Sequence, residues 1–466
     1  MSLKKIYTKI RIYVVNIDNI YNLTQKKEKK MVETVKHIIG VMDPNYFSFR
    51  ESFEGIMDFL NLKINYKNKI HEIVTRRIKS RPYNVLAAKT SCDAIINRGA
   101  HWNPHHNGFF TIIAHTTYLL NDMTSFKAIN KNVSYGHMHL LGIKIPRTWA
   151  IPQEDYSELK KSEKVNPDLI FPDFELFDLE AIGNEVGYPA YLKPQDGGGW
   201  VGVEKVNNYE ELHAAYKKSG DKPVNLQQAI EYKEFCRSVG IGPQVIPMHY
   251  NPNAKYSHDR YMRSPYQAVE HNFLTQEVED EVKKICRIIN AFYGWDHNSC
   301  EALITEDNEV YPIDFANAYP DSSITSLHYY FPEVIKAMVR WLVFVCVTGR
   351  KKPVNFSCDW DEYFKIAHQA DQENWDYKDR INKLNEIAER YYDKKHFEEF
   401  CEEYLNKNDF EEKAFKFFAS SRFEEIIIEK VKRYFKNVPH EIPEKIDHYV
   451  GIHQFWLKCE ADRLGI

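Results

Sequence analysis

The chain has 466 residues and a net charge of -4, so it is long enough for two or three domains and carries no overall positive charge that would attract nucleic acid. Its eight cysteines are scattered without a Cys-x-x-Cys pair, which argues against a disulfide or zinc framework and for a reducing, cytoplasmic setting. The most apolar run, residues 341–347, falls far short of the roughly 20 residues that cross a membrane, and it predicts a buried core helix. We therefore expect no nucleic-acid or membrane partner, and the sequence leaves the formation of homo-oligomers open.

Residues 1–30 are rich in lysine on either side of an apolar middle. Asp18 interrupts that middle and no small-residue cleavage site follows, so the pattern does not fit a signal peptide. We predict a basic N-terminal extension over these residues.

Residues 31–125 alternate between strand and helix patterns. Residues 37–43 predict a strand, apolar residues recur at helical spacing between positions 53 and 60, and residues 85–87 and 94–97 predict two more strands. This alternation indicates a small α/β domain, whose ligands would gather at the carboxyl ends of its strands.

A polar loop follows the strand at 94–97. Arg98 offers a planar fork of donors that matches a carboxylate, and His101, His105 and His106 crowd the next few positions. A short histidine cluster can bind substrate or a metal ion, but no cysteine or acid lies nearby to complete a tetrahedral metal site.

A glycine-rich stretch at 197–199 follows the lysine that ends an apolar strand, Lys193. Glycines let backbone N–H groups turn toward one anionic ligand, and a lysine adds a mobile positive charge beside them. An ordinary hairpin turn is the alternative. Residues 186–193 predict the end of a helix, a turn and a buried strand, and residues 201–206 predict a second strand. The glycines would then lie between two antiparallel strands, which is the context of neither a Walker A loop nor a dinucleotide fingerprint.

Residues 224–240 predict two strands separated by a short polar linker. The linker could hold an adenine edge by its backbone, and Glu234 could accept both hydroxyls of a ribose because a carboxylate has two acceptor oxygens. An ordinary strand pair with solvated charges is the alternative.

A hairpin with acids on both arms occupies residues 298–317. Glu301 and Asp314 interrupt apolar strands, where an ionised carboxylate is costly unless a cation meets it. Mg²⁺ takes carboxylates, an amide oxygen such as that of Asn317, waters and the phosphates of a nucleotide.

These three elements together resemble the ATP-grasp superfamily of carboxylate-amine and carboxylate-thiol ligases, over about residues 131–321. The resemblance implies an ATP-binding lysine at Lys193 with a phosphate loop at Gly197, Gly198 and Gly199. It also implies nucleotide contacts at Gln228, Ile230 and Glu234, and Mg²⁺ (or Mn²⁺) ligands at Glu301, Asp314 and Asn317. The asparagine comes one residue later than in the family, and a small bulge would restore its position.

Further roles follow from the same resemblance. A second ATP-contacting lysine is assigned to Lys131, with Lys127 as its rival, ahead of the turn at 142–146. Arg260 and Arg263 are assigned as cations that clamp the transferring phosphate. Arg98 and His101 are assigned to the carboxylate substrate, because the domain before the nucleotide site helps to hold that substrate in the family.

The predicted fold class is therefore a multidomain α/β and α+β protein. It comprises the extension at 1–30, a pre-ATP-grasp α/β domain at 31–125, an ATP-grasp fold of two α+β subdomains at 126–350, and a helical C-terminal domain at 351–466. The predicted function is ATP-dependent joining of a small-molecule or peptide carboxylate to an amine. A phosphotransferase or a nucleotide sensor on the same fold is the alternative.

Overall fold

The computed structural model describes residues 33–43, 47–121, 123–125, 130–155, 177–195, 201–254, 260–261, 273–352 and 360–466. The predicted extension at 1–30, the glycines at 197–199, Lys127 and Arg263 lie outside these residues.

A five-stranded sheet with flanking helices forms the N-terminal part. Its strand order is β2-β3-β1-β4-β5, with β2 and β3 antiparallel and the other pairs parallel. The elements are β1 (Thr34–Met42), α1 (Phe47–Leu60), β2 (Lys63–Tyr66), β3 (Lys69–Arg77), a 3-10 turn (Val85–Ala87), β4 (Ala94–Asn97), a 3-10 turn (Ala100–Trp102), α2 (Pro104–Ile113) and β5 (Tyr118–Leu119).

The predicted strand at residues 85–87 is wrong, because this segment is a 3-10 turn. The side-chain oxygen of Asn84 accepts the backbone N–H of Leu86 at 3.0 Å, a local bond that competes with pairing in a sheet. Leu86 is 97% exposed, so its hydrophobicity does not report a place in the core. The predicted strands at 37–43 and 94–97 and the helix between them are confirmed.

A small four-stranded antiparallel sheet, in the order β6-β9-β7-β8, forms the next unit. The elements are α3 (Lys131–Leu140), β6 (Thr148–Ile151), α4 (Leu179–Val186), β7 (Ala190–Pro194), β8 (Glu204–Val206), α5 (Tyr209–Ser219) and β9 (Val224–Gln228). We call β6 to β9 with α4 and α5 the small-sheet unit. Its side chains form a hydrophobic cluster of their own, which includes Val186, Leu192 and Leu226.

A second antiparallel sheet has the order β11-β10-β12-β13 and is backed by an amphipathic helix. The elements are β10 (Glu234–Ile241), β11 (Gln244–His249), α6 (Gln276–Tyr293), β12 (His297–Ile304) and β13 (Val310–Asn317). Helix α6 buries Val282, Ile285 and Ile289, which recur every three to four residues, against this sheet. Strands β12 and β13 pair antiparallel, so the predicted acid-bearing hairpin at 298–317 is confirmed.

Helices make up the rest of the described chain. They are α7 (Ile324–Leu327), a 3-10 turn (His328–Tyr330), α8 (Phe331–Thr348), α9 (Trp360–Gln372), α10 (Tyr377–Tyr392), α11 (Lys394–Phe400), a π-helical turn (Cys401–Leu405), a 3-10 turn (Asn406–Asn408), α12 (Phe410–Phe418), α13 (Ser421–Tyr434), a 3-10 turn (Pro439–Glu441) and α14 (Ile442–Leu464). The apolar run at 341–347 is buried in α8, as predicted. Among the described residues, no helix has the length and apolar character that crossing a membrane requires.

One large hydrophobic cluster joins the five-stranded sheet, the acid-bearing sheet and the C-terminal helices. The helices reach both neighbours: Trp360 stacks on Phe292 of α6 with ring centroids 4.9 Å apart, and Phe417 lies 6.0 Å from Phe59 of α1. The mixed α/β architecture and the helical C-terminal region are as predicted, while the domain boundaries at 125/126 and 350/351 remain a proposal.

Candidate active site

A cavity of about 550 Å³ lies between the small sheet and the acid-bearing sheet. This volume is within the range of about 300–1,000 Å³ that small-molecule sites occupy. Eight predicted site residues line it: Lys131, Lys193, Gln228, Ile230, Arg260, Glu301, Asp314 and Asn317. Elements far apart in sequence thus bring most of the predicted nucleotide and metal residues to one place.

The acid hairpin contains the predicted irregularity. Ser299 pairs with Asn317, but Glu301 pairs with Ile313, so β13 carries extra residues between these two pairs. Asp314 lies within the bulge with φ = 41°, a left-handed conformation that aspartate adopts more readily than most residues. The bulge lets Asp314 and Asn317 both reach the cavity wall.

Two ammonium groups converge on Asp314. The Nζ of Lys131 lies 3.1 Å from Asp314 Oδ1, and the Nζ of Lys193 lies 3.6 Å from the same oxygen. Tyr135, one turn after Lys131 in α3, donates its hydroxyl to Oδ1 at 3.4 Å and accepts the Asp314 backbone N–H at 3.0 Å. Burial opposes ionisation of Asp314, but the two lysines and Tyr135 hold its pKa below the ordinary value.

The pKa of Glu301 is shifted in the opposite direction from that of Asp314. Burial, together with the negative charge of Asp314, raises the pKa of Glu301 to about 7, although Arg237 opposes this shift. Arg237 stands opposite Glu301 in the β10–β12 pair, with its Nε 4.0 Å from Glu301 Oε1. A divalent cation beside Glu301 and Asp314 would favour the ionised carboxylate and relieve their mutual repulsion.

The charges of the described lining residues suit a polyphosphate. Four cations, Lys131, Lys193, Arg237 and Arg260, accompany the two acids, so the cavity keeps an excess of positive charge. Arg237 and Arg260 both lie near the Tyr250 ring, with guanidinium carbons 5.6 and 5.8 Å from its centroid. Arg260 also donates to the Tyr250 hydroxyl at 2.9 Å. This aromatic ring therefore fixes both guanidinium groups at one wall of the cavity.

Another part of the cavity wall is apolar. Ile230, Tyr191, Leu303 and Ile313 line it, from the linker after β9 and from three strands. The neighbouring Gln228 accepts the Nε–H of Arg147 at 3.3 Å, which holds its side-chain oxygen. A flat aromatic base would find apolar surface here.

Glu234 is not brought to the cavity wall. Phe235 and Arg237 line the cavity, whereas the Glu234 carboxylate lies 3.0 Å from His249 Nε2 of β11. Because side chains alternate along a strand, positions 235 and 237 share a face that position 234 does not share. The ribose contact assigned to Glu234 stays a prediction, which this geometry does not favour.

Arg98 and His101 also lie away from the cavity wall. Arg98 is 2% exposed, and its Nε lies 3.2 Å from Asp43 Oδ2 while its Nη2 donates to the Pro320 carbonyl at 2.7 Å. The His101 ring packs edge-on against Tyr319 with centroids 5.2 Å apart, and burial together with Arg98 lowers the pKa of His101 to about 4. These contacts favour a structural role, and the substrate role of both residues stays a prediction. In the described part of the chain, no three His, Cys, Asp or Glu side chains gather to hold a metal.

Arg237, Tyr135 and Tyr250 were not among the site residues predicted from the sequence. Arg237 carried a usable signal, because it interrupts the apolar strand at 234–241 just as Glu301 interrupts its own strand. Tyr135 and Tyr250 carried none, because tyrosine is frequent in this chain and common in cores. The phosphate loop at Gly197 to Gly199 and the clamp role of Arg263 cannot be placed, since these residues are outside the described ranges.

No protein-family model matches the chain. It is 35% identical over 106 residues to the D-alanine–D-alanine ligase of Thermoanaerobacter sp. (strain X514), which covers 18% of this chain and 30% of that protein. It is 31% identical over 179 residues to the D-alanine–D-alanine ligase B of Chromobacterium violaceum, covering 34% of this chain and 55% of the relative. The chain thus matches about a third to a half of the length of these curated relatives.

Solved structures with similar folds include the D-alanine–D-alanine ligase of Bacillus anthracis complexed with ATP, at a TM-score of 0.38 and 16% identity over 78% of this chain and 99% of that one. The macrocyclase MdnC of Microcystis aeruginosa aligns at a TM-score of 0.43 and 13% identity over 66% and 99%. The resemblance rests on the sequence matches. They confirm that this chain is similar to the ATP-grasp ligases, as its motifs predict.

Proposed function

We propose that this protein is an ATP-dependent ligase that joins a carboxylate to an amine through an acyl phosphate. The observation that carries the proposal is the convergence of Lys131 and Lys193 on Asp314, next to Glu301, in one cavity. The similarity to D-alanine–D-alanine ligases supports the same reaction class.

ATP would bind with its base against Ile230, Tyr191, Leu303 and Ile313, and with its triphosphate toward the cations. Lys193 extends from β7 into this space and is 6% exposed, so its charge acts where little water screens it. The affinity of the site for a polyanion would come from this enclosed positive charge.

Glu301, Asp314 and Asn317 fit Mg²⁺ or Mn²⁺ as ligands. Asn317 donates its side-chain N–H to Ser299 Oγ at 2.8 Å, so its amide oxygen is the atom suited to a cation. When bound, the ion would neutralise charge on the phosphates and polarise the transferring phosphoryl group.

The protein side chains would position and neutralise rather than form covalent bonds. The substrate carboxylate attacks the γ-phosphorus, and Lys131, Lys193, Arg237 and Arg260 offset the charge that develops on the phosphoryl oxygens and on the departing ADP. The amine then attacks the acyl carbon, and inorganic phosphate leaves. Arg237 and Arg260, held against Tyr250, are the groups placed to stabilise this second step.

The substrates are proposed to be amino acids or short peptides. The curated relatives are named for joining two molecules of D-alanine, so D-alanine is the first compound to try. The proposal is tested by incubating the protein with ATP, Mg²⁺ and a panel of amino acids and short peptides, and by analysing the products by mass spectrometry.

Ligation yields ADP, free phosphate and a condensed product with an amide bond. A phosphorylated product without free phosphate would instead identify a kinase. ATP binding without turnover of any compound in the panel would favour a sensor.

A further inference from the structure

Helix α3 holds two of the residues that meet the acid-bearing sheet. Lys131 and Tyr135 are one turn apart and share a face of this helix, and both contact Asp314 Oδ1, at 3.1 and 3.4 Å. The Tyr135 ring also packs edge-on against Phe315, with centroids 5.2 Å apart. The position of α3 therefore decides where the Lys131 ammonium lies relative to the acids.

Another face of α3 packs against the C-terminal helices. His137 lies two residues after Tyr135, which is about 200° further round the helix. Its ring centroid is 4.7 Å from that of Trp360 and 6.2 Å from that of Phe364, both in α9. Its Nδ1 lies 3.1 Å from the Tyr293 hydroxyl at the end of α6. The His137 side chain thus lies among aromatic rings that α6 and α9 supply together.

Helices α9 and α10 are themselves bound to α6. The Trp360 indole N–H donates to the Phe292 carbonyl at 2.8 Å, and its ring lies parallel to the Phe292 ring. In α10, the buried Asn385 accepts a hydrogen bond from Arg287 at 2.7 Å. The C-terminal helices therefore give α3 a surface whose position is fixed relative to the acid-bearing sheet, because α6 backs that sheet.

The turn after α3 lies against α10. Gly142 has φ = 78°, and the Arg380 guanidinium occupies the space that a side chain at position 142 would need. The Lys144 ammonium lies 4.4 Å from the centroid of Tyr377, and it donates to Glu309 Oε1 at 3.0 Å in the turn of the acid hairpin. Helix α10 thus fixes the chain immediately after α3.

The same segment continues to the linker after β9. The Arg147 carbonyl accepts the Gln228 backbone N–H at 2.9 Å, in addition to the bond between their side chains. Residues 131–147 therefore contact Asp314 near one end and Gln228 at the other, and α9 and α10 pack on the part between them.

We propose that helices α9 and α10 position the Lys131 ammonium for ATP and Mg²⁺ by packing on residues 131–147, and that His137 is the positioning residue through which α9 acts. This inference rests on the proposed function and adds to it a role for the C-terminal helices in nucleotide binding. A charged group that its surroundings already hold in place binds its ligand more tightly than one that the ligand must order. Loss of the packing at His137 would leave α3 folded but would let Lys131 and Tyr135 move away from Asp314.

Calorimetric titration of ATP with Mg²⁺ into the full chain tests this inference. We expect His137→Ala to weaken ATP binding about tenfold, because the aromatic contacts that orient α3 are removed. His139→Ala, at an exposed position on the same helix, should keep the wild-type affinity. His137→Phe retains a ring among the aromatic side chains and should recover most of the affinity.

A double variant shows whether His137 acts through Lys131. Lys131→Met alone should weaken ATP binding, because a cation of the cavity wall is lost. Adding His137→Ala to that variant should weaken binding by no more than about twofold further, because the group that His137 positions is absent. An undiminished loss in the Lys131→Met protein would overturn the inference.

The outcomes also separate this inference from the proposed function. If the wild type does not bind ATP, the proposed function fails, and the inference fails with it. If the wild type binds ATP and His137→Ala binds it equally well, the inference is overturned while the nucleotide site stands. A purely structural His137 would give that second result together with a lower unfolding midpoint. Phe364→Leu removes the α9 ring beside His137, so it is expected to weaken ATP binding in the same way, and it replaces the histidine variant if that one does not fold.

Discussion

The two sides of the cavity are built differently. The small-sheet unit packs around a hydrophobic cluster of its own, whereas the acid-bearing sheet shares one continuous cluster with the N-terminal sheet and the C-terminal helices. Lys193 comes from the first and Asp314 from the second, and their charged atoms are 3.6 Å apart. The arrangement of these charged groups therefore depends on how the small-sheet unit packs against the large unit that contains the acid-bearing sheet.

This difference in packing predicts different roles for the small-sheet unit and the large unit. The large unit fixes the acids and the arginines relative to one another, because its sheets and helices share a core. The small-sheet unit brings Lys193 and much of the apolar wall, and because its hydrophobic cluster is separate we expect it to move against the acids without disturbing the large core. Separate packing is typical of elements that open locally at low free-energy cost.

The largest effect on turnover is expected from replacing Asp314 in the large unit. Asp314→Asn should reduce kcat by about 100-fold or more, because the charge that meets both lysines and the proposed cation is removed. Asparagine tolerates the left-handed conformation of this position, so the fold should survive. ADP formation and the unfolding midpoint are measured, with Asp307→Asn in the exposed turn of the same hairpin as the control. Turnover like that of the wild type would refute the assignment of Asp314.

The same leucine-to-alanine substitution in the two hydrophobic cores should speed hydrogen exchange over regions of different size. Leu226→Ala and Leu342→Ala each remove a fully buried leucine side chain, at a cost of about 2–5 kcal/mol. The first should speed hydrogen exchange in the small-sheet unit alone and weaken ATP binding. The second should speed exchange across the large unit. Identical exchange patterns from the two variants, read by mass spectrometry, would show that the cores are not independent.

Acid should loosen the large unit through Glu460. Burial opposes its ionisation, but hydrogen bonds from Arg463 at 2.7 Å and Lys336 at 2.6 Å lower the pKa of Glu460 to about 2. A carboxylate with a depressed pKa stabilises the fold above its ordinary pKa, and that stability is lost as the pH falls from about 4.5 toward 2. At pH 7, Glu460→Gln should unfold more easily by on the order of 3 kcal/mol, and the difference should shrink at pH 3. Urea titrations at both pH values check this; a difference that grows on acidification would contradict it.

The smallest effect is expected at the surface of the small-sheet unit. Lys217 forms an ion pair with Glu154 there, but its side chain is 58% exposed. Lys217→Ala should change the free energy of unfolding by less than about 1 kcal/mol and leave the ATP affinity unchanged. A larger loss would mean that this pair helps to hold the unit in place.

Patterns with a physical cost were predictable from the sequence. Acids in apolar strands demand a counter-charge, and both Glu301 and Asp314 line the cavity. A small bulge would restore the position of the late asparagine, and β13 has an irregularity there. The hairpin β2–β3 was not predicted. Lys67 and Asn68 at its turn have φ values of 50° and 62°, and of these two residues only the asparagine signals such a turn in a sequence.

Two kinds of feature were not predictable: which face of a strand meets the cavity, and contacts between residues far apart in the sequence. A one-residue difference decides whether Glu234 or Phe235 faces the cavity, and alternation alone does not fix which face of the strand that is. Arg98 looked like an open guanidinium in a polar loop, but residues more than 200 positions later bury it.

The central proposal is that the lysines and acids of the cavity bind one nucleotide together. Its most direct test is calorimetric titration of ATP into the wild-type protein and into a Glu301→Gln, Asp314→Asn double variant. Each titration is run once with Mg²⁺ and once with a chelator. The proposed site predicts that Mg²⁺ strengthens ATP binding to the wild type and loses this effect in the double variant. Failure of ATP to bind, or an equal gain from Mg²⁺ in both proteins, would contradict it.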